Sequence, residues 1–212
     1  MKLLKAYTIF TSRKYRIIMS LLLAAVVVLN LVLGFGDPDM CLFFQIYIVS
    51  FVGLIPLYGD LEVFAGLHAK DSGQIASIQS SVKGFPVMAK GILADRIAMF
   101  LFVFLVDLSV AISHIKTVGG LNIWNLITGT AVVYCLLTIA ININRYFSTR
   151  WTVLVVCALE AGIVGWAAVW LWIFYPMGNL LSCIVGILLV ILVSYLTVIH
   201  ALHHLKRSYY DE

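Results

Sequence analysis

The chain has 212 residues, 63% of them apolar and only 11% charged, with a formal net charge of +4 and a mean hydropathy of +1.06. A soluble domain is nearer half apolar and a quarter charged, so these figures exclude an ordinary water-soluble globule and make lipid the outer solvent. The length holds one domain of about six spanning helices and no large soluble domain, and the net charge is too small to be read as a nucleic-acid surface.

The amino-terminal residues are basic and amphipathic. Leu3, Leu4, Tyr7 and Phe10 recur at helical spacing among Lys2, Lys5, Arg13, Lys14 and Arg16. Residues 2 to about 13 therefore read as a helix lying in the cytoplasmic interface, apolar face down. The first span follows over 17–33. A signal peptide is the rival reading, but the apolar run is too long for a signal core. Gly36-Asp37-Pro38-Asp39 has turn chemistry, and a second span covers 40–58. Residues 59–96 form the longest polar stretch.

The third span is expected over 97–115, with an outer loop at 116–122, and the fourth over 123–143. A short basic loop at 144–150 leads to the fifth span, 151–174. The turn Tyr175-Pro176-Met177-Gly178-Asn179 precedes the sixth span, 180–199, and a polar tail ends the chain. Trp151, Trp170, Trp172 and Tyr175 fall near the expected boundaries, as interfacial anchors do. Thirteen of the fourteen Lys and Arg residues fall on one side of this pattern, with Lys116 alone on the other. Basic residues are retained in the cytoplasm, so both termini are expected there. The fold class is an all-α membrane protein: one transmembrane domain over 1–212, six transmembrane helices and an interfacial amino-terminal helix. Cys41, Cys135, Cys157 and Cys183 lie in or beside apolar segments and form no CxxC pair. They read as small buried hydrophobes rather than a disulfide framework.

The 59–96 stretch stands out because the other loops are minimal. Over 74–82, Ile75, Ile78 and Val82 share one helical face, which makes a short amphipathic helix too small to be stable alone in water. Gly84-Phe85-Pro86 is expected to end it, and 87–96 to lead into the third span. The loop is either a linker resting on the membrane or a docking surface for a cytoplasmic partner.

The segment SSVKGFPVMAKGILADR, residues 80–96, resembles the cytoplasmic loop of type-2 ABC exporter permeases. Phe85-Pro86-Val87 and Lys90 fill the places of the apolar-Pro-Val motif and the basic residue that members carry there. The amphipathic start, six spans and cytoplasmic termini fit the same family. Two features depart from it: Ala89 stands where a basic residue is common, and the outer turn before the sixth span is short. The resemblance implies that Ile75, Ile78, Val82, Phe85, Pro86, Val87 and Lys90 couple the spans to an ATP-binding subunit. The chain has no GxxxxGK[ST] segment, so a separate ABC ATPase is implied, with ATP and Mg bound there and no cofactor in this chain. A second permease subunit, identical or related, is implied as well. On this reading the chain is a multi-pass subunit of a bacterial plasma-membrane exporter for a peptide, drug or lipid-like cargo, and is not itself an enzyme.

Two carboxylates fall inside expected spans: Asp107 in the third and Glu160 in the fifth. A carboxylate at such depth costs roughly 2.5–3.5 kcal/mol on insertion scales, so each is expected to face protein or water. They are candidates for the pathway or a helix interface; the plainer reading is a neutral, hydrogen-bonded carboxyl that fixes packing. Ser109 and Ser113, taken as one and two turns from Asp107, are expected to support it. Small residues at four-residue spacing, Cys157, Ala161 and Gly165 beside Ala158 and Gly162, suggest that the fifth span packs closely on another helix. Asp60 and Glu62 read as solvated. His200, His203 and His204 read as a histidine-rich helix end rather than a metal site, since further ligands are lacking. There is no HExxH or GxSxG segment. Two other function classes stay open: a non-transporting immunity or sensor protein, and a proton-linked carrier using Asp107 and Glu160.

Overall fold

A computed structural model describes residues 13–34, 84–113, 122–144 and 179–210, with isolated positions at 8, 11, 45, 48, 55, 115, 155, 158, 159, 162 and 163. Four long helices carry these residues: α1 (Arg13–Leu33), α2 (Gly84–Ser113), α3 (Ile123–Asn144) and α4 (Leu180–Tyr210). All four are long and apolar enough to cross a bilayer, and no strand occurs among the described residues. They correspond to the expected first, third, fourth and sixth spans. The interfacial helix, most of the second and fifth spans, Ile75, Ile78, Val82 and Glu160 lie outside the described residues.

Two boundaries differ from expectation. The third span was expected from residue 97, yet α2 is continuous from Gly84. Gly84-Phe85-Pro86 forms the first turn of this helix, and the short helix expected over 74–82 lies outside the described residues. Proline is tolerated in a first turn because the amide it lacks would have no intrahelical partner there. At the other end of the chain, α4 runs past the expected limit at 199 to Tyr210, taking in part of the expected polar tail. The starts of α3 and α4 fall where expected because an asparagine caps each. Asn122 Oδ1 accepts from Trp124 N at 3.0 Å and Asn125 N at 3.3 Å. Ser182 N donates to Asn179 Oδ1 at 2.7 Å while Asn179 N donates to Ser182 Oγ at 2.9 Å. The second arrangement is a reciprocal capping box.

Contacts fix the helix directions. Arg16 and Asp95 share one end of the α1–α2 groove, and Asn30 meets Ser109 toward the other, so α1 and α2 run parallel. Phe100 packs edge-on against Tyr134 at 5.5 Å, while Ala111 clusters with Leu126, so α2 and α3 run antiparallel. Thr128 meets Ser182 at 3.1 Å and Tyr134 meets Ser194 at 2.6 Å, so α3 and α4 are parallel again. Every Lys and Arg within the four helices (Arg13, Lys14, Arg16, Lys90, Arg96, Lys206 and Arg207) therefore belongs to one end of the bundle.

The core lies between α2 and α3. Met99, Phe102, Val103, Val106 and Val110 of α2 pack with Val133, Tyr134, Leu137 and Ile141 of α3, and Val26 of α1 closes the cluster. About half of the spanning stretch is buried in α2 and α3, against less than a fifth in α1 and α4. The outer helices thus present apolar faces such as Leu21, Val28 and Val32, or Leu181, Leu188 and Ile191, which suit hydrocarbon rather than water. Ser182, Gly186, Val190 and Ser194, four residues apart, form the face of α4 toward α3. An α carbon substituent on Gly186 would meet Ala131 Cβ at 3.0 Å. Such small residues let two backbones approach where no hydrophobic force drives them together.

Candidate functional site

Polar side chains inside the bundle gather on α2. On its α1 side, Asn30, wholly buried, donates through Nδ2 to Ser109 Oγ at 2.9 Å. One turn further, Gln45 Nε2 donates to Ser113 Oγ at 2.7 Å. Each serine hydroxyl donates in turn to the carbonyl three residues back, Val106 O or Val110 O, at 2.7 Å. That geometry leaves an oxygen lone pair to receive the amide. Gly34 lies against Ser113 so closely that an added Cβ would come within 2.7 Å of its Cβ. The α1–α2 contact is thus held by one amide–serine bond and by the close approach of Gly34 to Ser113, while Gln45, beyond α1, adds a second amide–serine bond to α2.

Asp107 occupies the other flank. It is 2% exposed and lies beside Thr130 of α3. No hydrogen bond of good geometry joins them: Asp107 Oδ2 and Thr130 Oγ1 both lack a partner, as does Asn30 Oδ1. Ser109 and Ser113 do not support this carboxyl as expected. At 100° per residue, Ser109 stands about 200° around the helix from Asp107 and faces α1 instead. Buried oxygens without donors are costly and uncommon in folded proteins. This pair can accept a proton, a water or a donor from a passing solute.

The segment expected to couple to a partner lies at the basic end. Pro86 and Lys90 are exposed and Val87 half-buried, and Phe85 belongs to the first turn of α2. The opposite face is covered: Gly84, Met88, Ile92 and Arg96, four residues apart, are buried. Arg96, the last residue of the expected polar stretch, is 2% exposed, 3.7 Å from Asp95 and 3.7 Å from Met99 Sδ. Pro86 and Lys90 border an apolar groove of about 690 Å³ that Ile97 and Phe100 continue toward Val190 and Tyr195 of α4. Seventeen residues, or roughly 25 Å along the axis, separate Lys90 from Asp107 on one uninterrupted helix.

Sequence reasoning missed Asn30, Gln45 and Thr130. Asn30 had a visible signal, being the one strongly polar residue in an otherwise apolar run over 21–33. Among the described residues no three of His, Cys, Asp and Glu come together as metal ligands would. His200 and His203 are exposed near the end of α4. Compared with known proteins, the chain matches no protein-family model, no curated protein and no solved structure.

Proposed function

We propose that this chain is a six-span permease subunit of an ATP-driven exporter in a bacterial plasma membrane, working with a separate ABC ATPase and a second permease subunit. The observation that carries the proposal is the continuity of α2. One 30-residue helix joins the segment resembling an exporter coupling loop to the core. A spanning helix needs only about 20 residues, so roughly ten remain at the basic end, where Pro86 and Lys90 are exposed. A force applied there by an ATPase travels along a rigid rod. Direction supports six spans rather than four. The parallel course of α1 and α2 is what a chain that recrosses the bilayer between them would give, and the same holds for α3 and α4. Gln45, bonded to Ser113, and Ile48, packed on the core, support the return over 40–58. The gathering of basic residues at one end, read with the positive-inside rule, supports a cytoplasmic basic end and cytoplasmic termini.

The test is mild extraction of the tagged full chain from its native membrane, with mass spectrometry of its companions. A P-loop ATPase at about equal stoichiometry is the expected result. A chain that purifies alone and shows no nucleotide-dependent behaviour overturns the exporter reading. A second reading, a proton-linked carrier, is favoured by the unpartnered Asp107 carboxyl oxygen beside Thr130. It requires flux that collapses with the pH gradient, is lost in Asp107→Asn, and needs no ATPase.

A further inference from the structure

We infer that the cleft between α1 and α2 at the basic end of the bundle is a binding site for one anionic phospholipid. The inference does not rest on the transport reading. The cleft encloses about 310 Å³, at the low end of the roughly 300–1,000 Å³ usual for small-ligand sites. Its two ends differ chemically. Tyr15, Arg16, Ser20 and Asp95 line the end near the membrane surface, and Leu23, Phe102 and Leu105 line the deeper part. From Asp95 to Leu105 the cleft extends roughly 15 Å along α2, about one leaflet of a ~30 Å hydrocarbon core. A polar head at one end and a slot one leaflet deep are the dimensions of a lipid with a single acyl chain inserted.

The charge of the head follows from Arg16. The residue is half-buried, and its Nη1 is shielded from solvent with no hydrogen-bond partner. A buried donor left without an acceptor is costly, and on a guanidinium it is best met by an anionic oxygen. Asp95 lines the same end of the cleft, and its carboxylate is shared with Arg96 at 3.7 Å. Arginine presents a planar fork of donors that matches phosphate oxygens. Arg13 and Lys14, exposed in the first turn of α1, add positive potential that selects a net anionic headgroup over a zwitterionic one. The phosphate thus seats on Arg16 and the chain passes between Leu23 and Phe102.

The test uses the full chain in nanodiscs of phosphatidylglycerol and phosphatidylcholine at equal amounts, released for native mass spectrometry. The wild type is expected to retain one phosphatidylglycerol in preference to phosphatidylcholine by about fivefold or more, the weight of one basic residue at a membrane surface. Arg16→Gln should bring the preference to near unity. Lys14→Gln, which removes a neighbouring charge without touching the cleft, should leave most of it. Ala98→Phe, filling the cleft, should abolish retention of either lipid, and unchanged helical circular dichroism would show that the variant folds. Equal retention of both lipids by the wild type overturns the inference. So does an equal effect of Lys14→Gln and Arg16→Gln, which reveals only a general surface field. A lipid-free dimer in the wild type overturns it too, because a second copy then occupies the cleft.

Discussion

Three glycines offer a graded test of the helix packing. Adding a methyl group at Gly34 places it 2.7 Å from Ser113 Cβ, 2.8 Å from Ser113 Cα and 3.0 Å from Ser113 O. Two of these are backbone atoms, so no side-chain rotation relieves the clash. Restoring ordinary contact at 3.4 Å or more needs the α1–α2 pair to open by about 0.7 Å, and overpacking of this kind typically costs 1–3 kcal/mol. Opening also stretches the 2.9 Å Asn30–Ser109 bond, which adds about 0.6 kcal/mol on the scale measured in membrane proteins. Gly34→Ala is therefore expected to lose about 2–3 kcal/mol. At Gly186 the new carbon meets only Ala131 Cβ, at 3.0 Å. A shift of a few tenths of an ångström suffices, and the gain in helix propensity offsets part of its cost, leaving a loss near 1 kcal/mol or less. At Gly162 nothing lies within 4 Å, so Ala should be neutral or stabilising by about 0.5–1 kcal/mol. The assay is unfolding of each variant by titration with SDS in mixed micelles, read by circular dichroism. A Gly34→Ala variant as stable as Gly162→Ala would refute the close approach of α1 to α2.

In a double-mutant cycle, Asn30→Ala and Ser109→Ala should show a coupling of about 0.6 kcal/mol and no more than about 1.7, the range for interhelical hydrogen bonds in lipid; zero coupling in the same SDS titration would remove the bond at 2.9 Å. Asp107→Asn should fold and keep the stability of the parent, since no hydrogen bond of the carboxyl to Thr130 is lost. A loss above about 2 kcal/mol would disclose a counter-ion. With the four native cysteines replaced by alanine, Lys90→Cys and Ile123→Cys should react with membrane-impermeant maleimide from opposite sides of sealed vesicles. Labelling from the same side would break the antiparallel α2–α3 arrangement.

The four helices were legible for concrete reasons. Apolar runs of spanning length mark them, and Asn122 and Asn179 signal two starts by a capping chemistry that needs only local sequence. The start of α2 was hidden because proline has two meanings. It breaks a helix interior but fits a first turn, and choosing between them requires knowing which neighbouring segment continues. Asp107 was recognisable as a charge in an apolar run, yet its surroundings were not. Proximity in sequence suggested Ser109 as its support, whereas helical rotation sends the two residues to opposite flanks. Asn30 and Thr130 come from other helices, 79 residues from Ser109 and 23 from Asp107, and no spacing within one segment reveals such partners. The burial of Arg96 was equally out of reach, since it depends on which face of α2 is covered.

The placement of polar groups on both flanks of α2 bears directly on how motion spreads through the bundle. α2 touches α1, α3 and α4, and the contacts differ in kind. Toward α1 they are fixed by the directional bond of Asn30 to Ser109 and by Gly34, which excludes any side chain against Ser113. Toward α3 they are mostly apolar, with Oδ2 of Asp107 left without a hydrogen-bond partner. α3 and α4, meanwhile, are joined by hydroxyl pairs at Thr128–Ser182 and Tyr134–Ser194. The described helices thus form two bonded pairs that meet along a mostly apolar seam. Directional bonds resist sliding more than apolar contacts do, because a shift of an ångström breaks them. Under the proposed reading, a push at Lys90 moves α1 and α2 as one body against α3 and α4, and the seam that opens is the one holding Asp107 and Thr130. A coupling stroke would then expose the two unpartnered oxygens first, which puts the site most able to meet a cargo donor at the joint the stroke acts on.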